Sequence, residues 1–124
     1  MPENEAPRPP RDLRASGKRL WSSIVDELDL DEHELALLRA ACRTVDALER
    51  IAGEMQGAPL TVTNSRGDEI ANPVLVEHRQ QSAQLARTLA SLRLPSGLAD
   101  DSELARPQRR GAARRAYGIR GSVG

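Results

Sequence analysis

The chain has 124 residues, with 18 Lys and Arg against 18 Asp and Glu, 39% hydrophobic and 29% charged residues, no Phe, one Trp and one Tyr. That length suits one small domain with tails. A core drawn from Leu, Val, Ile and Ala argues against an aromatic-rich β-sandwich and leaves little with which to wall a cofactor cavity.

One cysteine, Cys42, excludes an intramolecular disulfide framework and fits a reducing compartment. No apolar run follows the acidic start Met1-Pro2-Glu3-Asn4-Glu5, so no signal peptide is expected. Apolar stretches such as Leu35 to Leu38 fall far short of the roughly 20 residues a spanning helix needs. The expectation is an intracellular chain without a membrane partner.

Zero net charge conceals a strong asymmetry. Residues 21–55 carry nine acids (Asp26, Glu27, Asp29, Asp31, Glu32, Glu34, Asp46, Glu49, Glu54) against Arg39, Arg43 and Arg50. Before them stand Arg8, Arg11, Arg14, Lys18 and Arg19; from residue 106 onward come Arg106, Arg109, Arg110, Arg114, Arg115 and Arg120 with no acid at all. An acidic middle between basic ends is a statement about partners.

Residues 1–15, with Pro2, Pro7, Pro9 and Pro10 and few apolar side chains, read as a disordered arm. From 16 the pattern turns helical: Leu20, Trp21, Ile24, Val25 and Leu28 recur at three and four, with Ser16 as N-cap. After a break at Asp29-Leu30, Asp31 and Glu34 form a capping box for a long helix from Glu32 to about Met55, stopped by Gly57. Leu38, Ala41, Val45, Leu48, Ala52 and Met55 make its apolar seam. Residues 59–71 read as a β-hairpin around Asn64-Ser65-Arg66-Gly67. Asn72 then caps, and Pro73 opens, a last helix running to about Leu94, with Leu75, His78, Ser82, Leu85, Leu89 and Leu92 along one side. Residues 96–124 read as a flexible Arg-rich tail. The predicted architecture is mainly α: a short helix, then two long antiparallel helices with an inserted β-hairpin, over residues 16–95, between disordered basic termini.

Chemistry is hard to find in this pattern. His33, Cys42 and His78 have no zinc-site spacing, and Asp29-Leu30-Asp31 lacks the glycine a calcium loop needs. No nucleophile elbow, dinucleotide fingerprint or phosphate-binding loop is present. Neither catalysis, metal nor cofactor is expected. The basic ends suit phosphate, which arginine attracts by charge and bidentate hydrogen bonds; a solubilising tail is the plainer alternative. The long seams fit either an intramolecular helical hairpin or an oligomer, and the oligomer is favoured because three helices leave more apolar face than one chain covers. Its expected contacts are Leu38, Val45, Leu48, Met55, Leu75, Leu85, Leu89 and Leu92.

Gly17-x-x-Leu20-Trp21, Leu37-Leu38-x-x-Ala41-Cys42-x-x-Val45-Asp46, the Gly-containing hairpin, Asn72-Pro73-x-x-x-Glu77-x-Arg79 and Leu92-x-Leu94-Pro95 together resemble the small terminase subunits of tailed bacteriophages, over residues 17–95. Many relatives have His-Pro where this chain has Asn-Pro, a swap that keeps the cap chemistry. The resemblance implies a non-catalytic DNA-binding adaptor that assembles into a ring and recognises double-stranded viral DNA. The adaptor would deliver that DNA to the large terminase subunit, the ATPase and nuclease, for packaging into the procapsid. It also implies a place in the cytoplasm of the infected bacterial host and not in the mature virion. A helix-turn-helix reading of Leu28 to Asp31 fails on charge, since Asp31, Glu32 and Glu34 would face phosphate. DNA contact is therefore expected from Arg8, Arg11, Arg14, Lys18 and Arg19 and from Arg106, Arg109, Arg110, Arg114, Arg115 and Arg120. The alternative is a small helical oligomeric regulator or structural, partner-binding protein whose basic tail only solubilises it.

Overall fold

The structure, a computed structural model, describes residues 5–95 and 107–109. Among the described residues there are three helices, α1 (Ala15–Val25), α2 (Glu32–Met55) and α3 (Pro73–Leu92), and four short strands, β1 (Leu28–Asp29), β2 (Thr61–Thr63), β3 (Glu69–Ala71) and β4 (Gln108–Arg109).

The long helix α2 has the predicted bounds, and local chemistry sets both. At its start the Asp31 N–H donates to Glu34 Oε1 at 2.7 Å, the reciprocal half of a capping box. At its end the Ala58 N–H donates to the Met55 carbonyl. The hairpin also forms where expected. β2 and β3 pair antiparallel, Val62 opposite Ile70, around a loop at 64–68 in which Gly67 takes φ +87°. A side chain with a Cβ is strained there, and Asn64 Oδ1 fastens the loop by accepting from the Arg66 and Asp68 N–H groups, both at 2.9 Å. Asn72 caps α3 as expected, Oδ1 accepting from the Val74 N–H at 3.1 Å. Its Nδ2 also donates to the Pro59 carbonyl at 2.9 Å, which ties the hairpin base to the helix start.

Leu13, Trp21, Ile24, Val25, Leu28, Leu38, Cys42 and Leu92 form the buried core, with Leu35, Leu37, Leu89 and Leu94 packed against it. The core thus joins α1 to the N-terminal half of α2 and the C-terminal end of α3, so α2 and α3 run antiparallel. It occupies one end of the molecule.

Four expectations need correction. Residues 5–14 do not form a loose arm: Leu13 is buried in the core, Ala6 packs on it, and Trp21 Nε1–H donates to the Pro7 carbonyl at 3.0 Å. Ser16 is not the N-cap of α1, which starts one residue earlier with Arg14 in that position and stops at Val25 rather than Leu28. Helix α3 ends at Leu92, where Arg93 turns left-handed at φ 54°. The C-terminal region is not all loose tail either: β4 pairs antiparallel with β1, Leu28 opposite Arg109 and Asp29 opposite Gln108, and Pro107 is buried. Residues 1–4, 96–106 and 110–124 lie outside the described residues.

Candidate nucleic-acid interface

The basic N-terminal residues stand on an ordered support. Arg8 and Arg11 lie on the extended segment that Trp21 and Leu13 anchor, Arg14 is the N-cap of α1, and Lys18 and Arg19 follow in its first turns. All five are exposed. Arg19 additionally donates from Nη2 to Ser16 Oγ at 3.0 Å, which orients its guanidinium along the helix start.

What holds α1 in place comes from α2. Asp46 accepts from the Arg14 N–H through Oδ2 and from the Gly17 N–H through Oδ1, both at 2.7 Å. The first N–H groups of a helix have no partner within it, and a carboxylate there also meets the positive end of the helix dipole. A side chain 29 residues further on therefore caps α1 in place of a local one. Gly17 makes the approach possible: a Cβ on it would sit 2.8 Å from the Cys42 carbonyl oxygen and closer still to the Asp46 carboxylate. Gly17, Cys42 and Asp46 are thus one contact between two helices.

Two acids near the basic segment, Asp46 and Asp12, are engaged. Asp46 is the cap just described, and Asp12 Oδ2 accepts from Arg43 Nε at 2.7 Å. The Arg43 hydrogen bond and charge hold the Asp12 carboxyl below its ordinary value. Cys42 is fully buried, and desolvation, with the Asp46 charge added, pushes its thiol up to about 11, so it stays protonated and inert at neutral pH. Phosphate approaching α1 would meet cations beside Asp12 and Asp46, both already partnered, though not free helix amides, because Asp46 fills that place.

The seam residues divide. Leu38 and Leu92, expected at an interface between copies, are 0% and 1% exposed inside one chain, consumed where α1 closes over α2 and α3. They have no surface to offer a second copy. Val45, Leu48, Met55, Leu75, Leu85 and Leu89 lie half-buried. On the hairpin Leu60 is 77% exposed, and Ile70 is exposed as well.

Of the C-terminal arginines, Arg109 lies in β4; Arg106, Arg110, Arg114, Arg115 and Arg120 lie outside the described residues. Among the described residues no group of His, Cys, Asp and Glu could hold a metal ion, and no helix is long and apolar enough to cross a membrane. Periodicity in the sequence does not reveal Asp46, Asp12 or the Trp21–Pro7 bond. Gly17, a glycine inside an otherwise amphipathic helix, is a signal for the Asp46 contact alone.

Comparison with protein-family models, with curated proteins and with solved structures finds no match.

Proposed function

We propose that the protein is a non-catalytic, DNA-binding oligomeric adaptor of the small terminase subunit kind, which binds double-stranded viral DNA and delivers it to a large subunit that carries the ATPase and nuclease. The carrying observation is the set of five exposed bases, Arg8, Arg11, Arg14, Lys18 and Arg19, displayed on an ordered segment, with Asp12 and Asp46 beside them engaged by Arg43 and by the start of α1. A duplex presents closely spaced phosphates, and cations fixed in place lose less conformational entropy on meeting them than cations on a loose arm. The resemblance in residues 17–95 supplies the packaging role. Half-buried Val45, Leu48, Met55, Leu75, Leu85 and Leu89 supply apolar surface for assembly into a ring.

A second reading, a helical oligomeric regulator or partner-binding protein, is favoured by β4, which gives part of the basic C-terminal region a place in the fold. Light scattering on a sizing column, with and without a short duplex at low salt, separates the two. A defined assembly well above a dimer that gains the mass of DNA supports the adaptor. A monomer or dimer that ignores DNA refutes it and leaves the second reading.

A further inference from the structure

Between Glu34 and Asp46 the long helix carries two charged residues, Arg39 and Arg43, so the acidic middle of the sequence is interrupted by a short basic stretch. The two stand one turn apart on α2, about 6 Å along its axis, and both are exposed. Of the positions three and four residues from either of them on α2, Asp46 is the one acid. Its carboxylate is taken by the Arg14 and Gly17 N–H groups.

The N-terminal segment meets α2 at this place. Two contacts fix the meeting: the Arg14 and Gly17 amides on Asp46, and Asp12 on Arg43, whose Nε donates to Asp12 Oδ2 at 2.7 Å. Hydrogen bonding and charge from Arg43 lead in holding the Asp12 carboxyl below its ordinary value, and the charge of Arg39 adds to them. Arg39 therefore stands in the same neighbourhood. Arg11 and Arg14 lie one and two residues from Asp12 along the chain, their Cα atoms no more than about 7 Å from its own. The Arg43 side chain is still 56% exposed within the ion pair. A guanidinium has five N–H donors. Arg43 uses one, and among the described residues its Nη groups and the whole Arg39 guanidinium make no hydrogen bond.

We infer that Arg39 and Arg43 of α2 extend the phosphate-binding surface of the N-terminal segment, so that one duplex is held by two elements braced together at Asp12. The inference rests on the proposed DNA binding and adds to it a second element and two residues. Arg43 has a double part: its Nε braces the segment through Asp12, and its Nη groups remain for phosphate, which the guanidinium fork suits. A duplex backbone, with a charge about every 3.4 Å along each strand, offers several phosphates to cations set a few ångströms apart.

The test uses the full chain. Duplex affinity is measured against salt for wild type, for Arg39→Gln/Arg43→Gln, for Asp12→Asn, and for a control of equal charge change, Arg66→Gln/Arg79→Gln, at exposed positions on the hairpin and α3. Each phosphate no longer neutralised should lower the slope of log affinity against log salt by about 0.9, a loss of roughly eightfold at about 0.1 M salt. Without Arg39 and Arg43 the slope should fall by about 1.8 and the affinity roughly sixtyfold, while the control changes little. Asp12→Asn removes a carboxylate from the surface and keeps an acceptor for Arg43, so it should bind at least as tightly as wild type. If Arg39→Gln/Arg43→Gln keeps the slope of the control, or if Asp12→Asn weakens binding as much as that variant does, Arg43 only braces the segment and the inference is refuted while DNA binding stands. If wild type binds no duplex, the adaptor reading falls. The α2 arginines are then decided by the NMR signals of their side-chain Nε–H groups during titration with pyrophosphate. Shifts at Arg39 and Arg43 beyond those at Arg66 and Arg79 keep a phosphate site there, and equal shifts refute it.

Discussion

Gly17→Ala sets two principles against each other and thereby tests the contact that organises the N-terminal half. On helix propensity alone, alanine in place of a helical glycine stabilises by about 1 kcal/mol. The packing opposes this, because the new Cβ would lie 2.8 Å from the Cys42 carbonyl oxygen, a backbone atom in the middle of α2 that cannot swing aside. Helix α1 must then retreat from α2. Overpacking of this kind costs about 1–3 kcal/mol. The retreat also stretches the bonds from the Arg14 and Gly17 N–H groups to Asp46, and a hydrogen bond to a charged group contributes about 1.5–3 kcal/mol. The net expectation is a loss of about 1–3 kcal/mol, read as a fall in melting temperature of roughly 10 °C for a domain of this size. The assay is thermal and urea unfolding by circular dichroism at matched protein concentration, beside Gly53→Ala in α2. A Cβ on Gly53 meets nothing within 4 Å, so that variant should gain about 0.5–1 kcal/mol. If Gly17→Ala stabilises as Gly53→Ala does, α1 does not approach α2 through Gly17 and the Asp46 cap is misassigned.

The remaining expectations follow from the core, the seam and the arm. With its thiol pushed up to about 11, Cys42 carries about two orders of magnitude less thiolate at pH 8 than an ordinary cysteine, so native protein should resist alkylation until unfolded; rapid native labelling would contradict its burial. The folded state keeps that proton where the unfolded chain loses it, so stability should fall between about pH 8.5 and 11, and Cys42→Ala should flatten that fall in denaturation curves taken across the window. Leu48→Asp and Leu85→Asp, at half-buried seam positions, should lower the solution mass while helicity is retained, whereas Leu38→Asp should cost about 3 kcal/mol or more and unfold the chain; unaltered mass in the first two would place assembly elsewhere. Replacing Arg8, Arg11 and Arg14 with Ala should weaken duplex binding and reduce the slope of log affinity against log salt by about 0.9 for each phosphate that is no longer neutralised, and an unchanged slope would remove the arm from the interface.

The elements legible from sequence are those whose causes lie within a few residues. Asp31 with Glu34, Asn72 with Pro73, and Gly67 in its loop each act on backbone groups nearby, and α2, α3 and the hairpin appear where those residues place them. Composition misreads the arm because it counts apolar residues and only Ala6 and Leu13 are needed; the other anchor is the Pro7 carbonyl, a group every residue type possesses. The cap of α1 is hidden because Asp46 is remote in sequence, and β4 because a two-residue ladder leaves no periodicity to detect. For the candidate site, the identities of the five N-terminal bases are legible and their rigid setting is not. The spacing of three and four finds the apolar seam but cannot tell that α1 seals it at Leu38 and Leu92 and leaves it half open from Val45 onward.

The remote cap also fixes an order of assembly. A helix of 11 residues is too short to persist alone in water, and α1 has no acceptor of its own for its leading amides. During synthesis from the N-terminus, α1 leaves the ribosome before residue 46 exists outside it. The segment can hold its helix only once residue 46 is at hand, with Asp46 as the acceptor for its first turn. The helix made first is fastened only after its successor.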